Sequence, residues 1–241
     1  MKVATGIRRL DDLLEGGVPP LSATLVYGPP FVGKETFARL FILQGLRNGE
    51  PGILVLTNEA AADARDRFLA MDPDFPKYEA AGLIRYVDAY SKAIGLDVDV
   101  PGVELVDGPM NLNGLATAVA NTQRAIVGLG PTHRLVVDSL STLITYTNPQ
   151  TTFRFLQVLI GKTRRAGATA LFTLDHGMHT DAEVQMFKHI ASGVLSVKPD
   201  QGKYLLNIQG IGVAEDRGWV DYKFSDTGFE ITGSFAAGRI R

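Results

Sequence analysis

A chain of 241 residues, 45% hydrophobic and 21% charged, has the length for one large α/β domain and the composition of an ordinary soluble globular protein. A net charge of −2 gives no global basic field to gather nucleic acid, and the absence of cysteine excludes a disulfide framework, a thiolate metal site and a cysteine nucleophile. The N-terminal residues lack the apolar core of a signal peptide and no apolar run approaches a bilayer span, so a cytoplasmic protein without membrane attachment is expected.

Taken in chain order, Thr5-Gly6-Ile7 leads into Leu10, Leu13 and Leu14, the apolar positions of a short amphipathic helix ended by Gly16-Gly17. Pro19-Pro20 break the chain. Residues 23–27 read as a compact apolar strand running into Gly28-Pro29-Pro30, and from Lys34 the pattern turns helical through Phe37, Leu40 and Phe41 to Gln44-Gly45. Residues 52–57 form a second buried strand, 60–71 a helix closed by Asp72-Pro73, and 83–87 a third strand. Residues 94–110 are acidic, contain Gly and Pro and show no period, which predicts a loop. A helix over 115–129, a strand over 134–138, a helix over 153–165 and a strand over 168–174 follow. Apolar strands alternating with amphipathic helices predict a mostly parallel sheet covered on both faces. Past Val194 the pattern changes: 193–198, 204–211 and 220–224 read as strands joined by short turns, an antiparallel extension of the same sheet. With no linker visible, residues 1–232 are expected to form one domain and 233–241 a tail.

The stretch Gly28-Pro29-Pro30-Phe31-Val32-Gly33-Lys34 matches the first seven positions of GxxxxGK[ST], with a buried strand before it and a helix after it. Such a turn lets backbone N–H groups converge on phosphate oxygens, the helix N-terminus adds its dipole, and Lys34 reaches the outer phosphates. The ordinary alternative, a Gly/Pro turn with an exposed lysine, is disfavoured by the strand–loop–helix context. The eighth position departs from the motif. Glu35 stands where a Ser or Thr hydroxyl would bind Mg²⁺. A glutamate is also a hard oxygen ligand, but a longer and negative one, placed where a triphosphate would repel it. Thr36 lies about 100° further round the helix, so its hydroxyl is expected to point elsewhere. Either metal binds differently or nucleotide binding is weakened. Leu135-Val136-Val137-Asp138 is apolar and ends in an acid at a strand tip, the Walker B pattern, which puts Asp138 near the metal or, as the alternative, makes it a cap on the turn into Ser139.

These residues resemble the KaiC-like branch of the RecA/RadA superfamily of P-loop ATPases. The resemblance rests on Thr5-Gly6-Ile7, Leu10-Asp11-Asp12-Leu13-Leu14, Gly16-Gly17-Val18-Pro19, the phosphate loop, Glu50-Pro51-Gly52, Asn58-Glu59 and Asp138-Ser139-Leu140, and it covers nearly the whole chain. It implies a three-layer RecA-like P-loop NTPase domain, with nucleotide over the C-terminal edge of the sheet, contacting the loop from Gly28 through Glu35 and Thr36. It also implies a homo-oligomeric ring, a hexamer by the family's habit. The cofactors are then ATP and, where Glu35 and Asp138 permit it, Mg²⁺.

Three of the family's catalytic features differ here. The second strand typically ends in two glutamates, the first taken as the base; this chain has Asn58, which would only position water, and then Glu59, which would have to substitute from a shifted direction. The family's lysine and arginine near the end of a late strand, which reach a neighbour's nucleotide, match Gln209 and Ile211; Lys203 and Arg217 are nearby cations that would compensate. The third difference is Glu35. One arginine finger alone is worth about 10³–10⁵ in rate, so slow turnover is expected. The leading reading is therefore an ATP-binding regulatory or signalling module with weak or no hydrolysis, acting with an unidentified protein partner. The alternatives are an active ATPase using Glu59 and a RecA/RadB-like DNA-binding accessory protein. Against the last stand the net charge of −2 and the lack of a separate N-terminal DNA-binding domain.

Other clusters have plainer readings. Asp175-His176-Gly177-Met178-His179-Thr180-Asp181 carries potential metal ligands, but a loop sensing the γ-phosphate side is favoured. Ser139, Ser141, Thr142 and Thr145 fit capping and packing. Lys162, Arg164 and Arg165 complement a helix dipole. Phe153, Phe155, Leu156 and Leu159 form an apolar stripe read as core, with a subunit interface as the alternative, and Trp219 and Tyr222 are core or interface residues.

Overall fold

The computed structural model describes residues 1–211 and 218–233. Arg217 and the tail from residue 234 lie outside the described residues. In chain order the elements are α1 (Arg8–Leu13), β1 (Ala23–Gly28), α2 (Lys34–Arg47), β2 (Gly52–Leu56), α3 (Ala61–Met71), α4 (Phe75–Ala80), β3 (Ile84–Asp88), β4 (Val103–Leu105), α5 (Leu112–Ile126), β5 (His133–Asp138), α6 (Leu140–Tyr146), α7 (Pro149–Arg165), β6 (Ala168–Asp175), α8 (Asp181–Ile190), β7 (Gly193–Asp200), β8 (Lys203–Gln209), β9 (Val220–Phe224) and β10 (Phe229–Ile231).

The strands form one ten-stranded sheet in the order β10-β9-β8-β7-β1-β6-β5-β2-β3-β4. From β7 to β4 all neighbours are parallel, and β8, β9 and β10 extend the sheet antiparallel. Successive strand residues feed opposite cores because side chains alternate across a sheet. Val26, Leu54 and Val136 face a core shared with α1, α2, α3 and α4; Leu25, Ile53 and Leu135 face a second core shared with α5, α6, α7 and α8. Burial on both faces is why these strands read as unbroken apolar runs.

The N-terminal motif has a structural job. The Asp11 carboxylate accepts from the Thr5 backbone N–H at 2.6 Å, the Thr5 hydroxyl at 2.8 Å and the Gly6 N–H at 3.2 Å. Gly6, at φ +88°, lies so close to α2 that a Cβ there would sit 2.9 Å from the Leu40 carbonyl oxygen. Arg134, at the start of β5, completes the clasp: it donates to the carbonyls of Ala4 and Phe41 and pairs with Glu50 at 2.8 Å.

The structure corrects the predicted loop over 94–110. It contains β4, which pairs in parallel with β3 through Tyr86↔Val103 and forms one edge of the sheet. Three residues are too few to display a period-2 pattern. Helices α4, α6 and α8 were also not predicted as elements. For α8 the signal was present: Thr180 and Glu183 form a capping box, and the Thr-x-x-Glu spacing that makes one is local in sequence. β8 stops at Gln209, so Ile211 lies past the strand rather than within it.

Candidate functional site

The C-terminal ends of the parallel strands converge at one edge. Register places Gly28 opposite Asp175 and Leu56 opposite Asp138, so the ends of β1, β6, β5 and β2 lie side by side. The chain leaves β1 at Gly28, whose carbonyl accepts from the His176 N–H at 2.9 Å, and turns over the sheet edge to enter α2. Phe31 at φ +62° and Gly33 at φ +83° are both in the left-handed region. Gly33 is doubly required, since a Cβ there would also sit 2.6 Å from the Phe224 ring. Phe31 stands at the loop apex and is 89% exposed.

The last hairpin supports the loop from behind. The Tyr222 hydroxyl donates to the Val32 carbonyl at 2.7 Å, and the Thr36 hydroxyl donates to the Ser225 carbonyl at 3.1 Å. Thr36 is thus turned toward the β9–β10 connection. A cleft of about 660 Å³ opens over the loop. Pro30, Phe31, Gly33, Glu35 and Thr36 line it from the loop side, Arg39 from α2, Arg67 from α3, and Phe224 with Asp226 from the last hairpin. Gly28, Pro29 and Val32 form the loop's base and do not line the cleft.

Lys34 is buried. Its ammonium donates to the Pro29 carbonyl at 2.7 Å and pairs with the Asp175 carboxylate at 2.9 Å, with Glu35 further off at 3.8 Å. Asp175 is itself fixed: its N–H donates to the Ser141 hydroxyl at 2.9 Å, and that hydroxyl lies 2.9 Å from His179 Nε2. His179, Ser141, Asp175 and Lys34 thus form one chain of contacts.

Asp138 is buried at the end of β5 and accepts from the Thr173 hydroxyl at 2.6 Å. Burial pushes its carboxyl up to about 6; the charges of Glu35 and Glu59 add to the rise, while the Thr173 bond and Arg39 oppose it. Glu59 is held between two arginines, 2.5 Å from Arg39 and 3.4 Å from Arg67. Asn58 beside it is exposed. Arg39 and Arg67 were not singled out in the sequence; the available signal for Arg39 was a guanidinium between the apolar residues Phe37, Ala38, Leu40 and Phe41 of α2.

Asp138 and Glu35 are oxygen donors of the kind a small hard divalent cation takes beside phosphate oxygens and water. Among the described residues no cluster of three or more His, Cys, Asp or Glu is placed to hold a metal by itself. The donor set therefore fits a metal brought with a phosphate ligand rather than a protein cage.

The late-strand positions divide. Gln209 is exposed at the end of β8, whereas Ile211 is buried against Gly193. Lys203 sits at the opposite end of β8, where it pairs with Asp221 at 3.0 Å, so it does not stand in for a cation beside Gln209.

The loop is held between an apolar strand and a helix, with an acid-tipped strand two places away in the sheet, and the family model described as the KaiC ATPase matches residues 3–215 of this chain. The chain belongs to the KaiC ATPase family. It is 33% identical over 142 residues to a UPF0273 protein of Pyrococcus furiosus, covering 59% of this chain and 56% of that one. A UPF0273 protein of Thermotoga maritima is 32% identical over 178 residues, covering 71% and 68%. The matched part thus spans little more than half of the Pyrococcus furiosus relative. Among solved structures, the KaiC-like protein of Pyrococcus horikoshii superposes with a TM-score of 0.74 at 25% identity, covering 96% of this chain and 98% of that one. Membership of this ATPase family implies nucleotide binding. No described helix of this KaiC-family chain is long and apolar enough to cross a membrane.

Proposed function

We propose that this KaiC-family chain binds ATP at the 28–36 loop, hydrolyses it slowly or not at all, and works as a nucleotide-responsive regulatory module, with residues 1–232 acting as one RecA-like unit. The observation that carries the reading is the state of Glu59. A general base must be free to accept a proton near its operating pH. Glu59 is instead engaged by Arg39 and Arg67, and Asn58 has no proton-accepting group of use near neutral pH.

In this reading the backbone N–H groups of the loop and the first turn of α2 hold the phosphates, and Arg39 and Arg67 add positive charge to the same cleft. Lys34 is shared between Asp175 and a phosphate oxygen, so binding competes with an existing ion pair. Asp138 and Glu35 would hold Mg²⁺, which would supply charge neutralisation between phosphate oxygens. Glu35 brings a negative charge where the family motif has a neutral hydroxyl, and Coulomb repulsion of the triphosphate weakens that arrangement. A homo-oligomeric ring is the assembly the family suggests; Ile211, buried against β7, supplies no trans-acting charge to it.

Calorimetric titration with ATP, with and without Mg²⁺, combined with a phosphate-release assay, tests the reading. Saturable binding without steady phosphate release is expected. Sustained turnover in the native chain, abolished by Glu59→Gln, would establish the alternative in which Glu59 is the base.

A further inference from the structure

A second cavity, of about 520 Å³, opens beside the Gly28–Pro29 turn and shares no lining residue with the phosphate cleft. Its floor is the face of β1, β7 and β8 beyond the edge of α8, where Tyr27, Ser196, Asn207 and Gln209 present a ring, a hydroxyl and two amides. Lys188 of α8 forms one wall and Trp219 another, with Lys198 beside it. The volume falls within the range of small-molecule sites.

Two lysines of this cavity each lie over an aromatic ring. Lys188 lies over the Tyr27 ring, with its ammonium 4.8 Å from the centroid, and Lys198 lies over Trp219 at 4.5 Å. Lys188 is half-buried, and among the described residues it meets no carboxylate within ion-pair distance. Partial burial lowers its pKa, with Asp181 opposing from a distance. Among the described residues Lys198 has one counter-ion, Asp200, at 3.9 Å. Trp219 is 40% exposed, an uncommon position for so large an apolar ring, and the carbonyl of its neighbour Gly218 accepts from the Asn207 amide at 2.9 Å. Among the described residues these two cations have one carboxylate between them, and each lies beside an aromatic ring in one concave site.

We propose that this cavity binds a small aromatic anion, a planar ring carrying a phosphate or a carboxylate, with the ring against Trp219 and the anionic group held by Lys188 and Lys198. A volume of about 520 Å³ suits a small molecule. Because Gly28 and Pro29 line the cavity, and the Pro29 carbonyl also holds Lys34, an occupant would sit within one residue's reach of the phosphate loop's lysine anchor.

Trp219 is the chain's single tryptophan, so its fluorescence reports on this cavity directly. Titration of the whole chain with AMP and with benzoate covers the phosphate and carboxylate forms. At least one is expected to change the fluorescence saturably, whereas adenosine and inorganic phosphate, each carrying half of the recognised chemistry, should bind at least about tenfold more weakly. Lys188→Ala and Lys198→Ala should each weaken binding by about tenfold, and Lys198→Arg should retain it. The lysines are partly exposed, so these variants keep the fold. Absence of a saturable response to both probes at millimolar concentration, a response kept in full by both alanine variants, or a signal that follows protein concentration rather than ligand would each overturn the proposal; the last would mark the face as a contact between copies.

Discussion

The ammonium of Lys34 lies 2.9 Å from the carboxylate of Asp175, across the pair of strands whose ends, Gly28 and Asp175, are in register. The lysine of the 28–34 motif is thus neutralised by the strand that separates β1 from the Asp138 strand. Under the proposed function, a phosphate ligand competes with that carboxylate for Lys34.

Asp175→Asn is therefore expected to tighten ATP binding. The amide keeps the side chain's shape and removes the competing charge, which is worth about 1 kcal/mol or about fivefold in Kd for a partly exposed pair. The same substitution should lower stability, because a buried Lys34 loses its counter-ion. Calorimetric titration beside thermal unfolding measures both, and weaker ATP binding by Asp175→Asn would show that the pair pre-positions Lys34 instead of restraining it.

Glu59→Gln and Glu35→Thr separate structure from chemistry. Arg39 is buried, and removing the charge that faces it should cost roughly 1–3 kcal/mol of stability while leaving any residual phosphate release within a few-fold of the native chain. Glu35→Thr restores a neutral hydroxyl at the start of α2 and should strengthen Mg²⁺-dependent ATP binding, with any gain in turnover appearing only in this variant. Denaturant unfolding and steady-state phosphate release distinguish the two; a turnover loss in Glu59→Gln much larger than its stability loss would make Glu59 a catalytic residue.

Asp138 and His133 place opposing pH dependences on folding. The Asp138 carboxyl is pushed up to about 6 by burial, so the folded chain holds a proton the unfolded chain has released, and this group's contribution to stability falls as pH rises from about 4 to about 6. His133, buried beside Gln123, is lowered to about 4, so its contribution is complete above about 6.5 and is lost as pH falls toward 4. In the native chain the two slopes partly cancel. Asp138→Asn keeps an acceptor for the Thr173 hydroxyl and removes the buried charge. It should raise stability at neutral pH by roughly 1–3 kcal/mol, and expose the His133 slope as a steeper loss toward acid. Urea unfolding across this pH range reads the slope directly, and an unchanged profile in the variant would contradict the assignment.

The parallel strands and the phosphate loop were legible because both are local: a buried strand is a short apolar run, and the loop is a fixed spacing of Gly and Lys in a strand–helix context. What the sequence did not show is long-range pairing. Asp175 is 141 positions from Lys34, and Arg39 and Arg67 meet Glu59 from two different helices, so no periodicity brings them together. β4 was too short to display an alternation, while the capping box of α8 was visible and went unused. The departures at Glu35, Asn58 and Gln209 could be read as identities in the chain, but whether Glu59 was available as a base depended on neighbours that only the fold supplies.

The last hairpin offers a test of how far the loop depends on distant support. The Tyr222 hydroxyl, buried, donates to the Val32 carbonyl, and its ring stacks on Phe229 with centroids 4.4 Å apart. Tyr222→Phe preserves the stack and leaves that carbonyl without its donor, which should cost about 1 kcal/mol of stability. Because the bond fixes the residue just before Gly33, ATP affinity should fall by a few-fold, more than the loss of a remote core hydroxyl would produce. Comparison with Tyr86→Phe makes the distinction, since the Tyr86 hydroxyl is buried without a partner and far from the loop, and its removal should leave affinity unchanged. Equal ATP affinities in the two variants would mean that the 28–36 loop holds its shape without the hairpin.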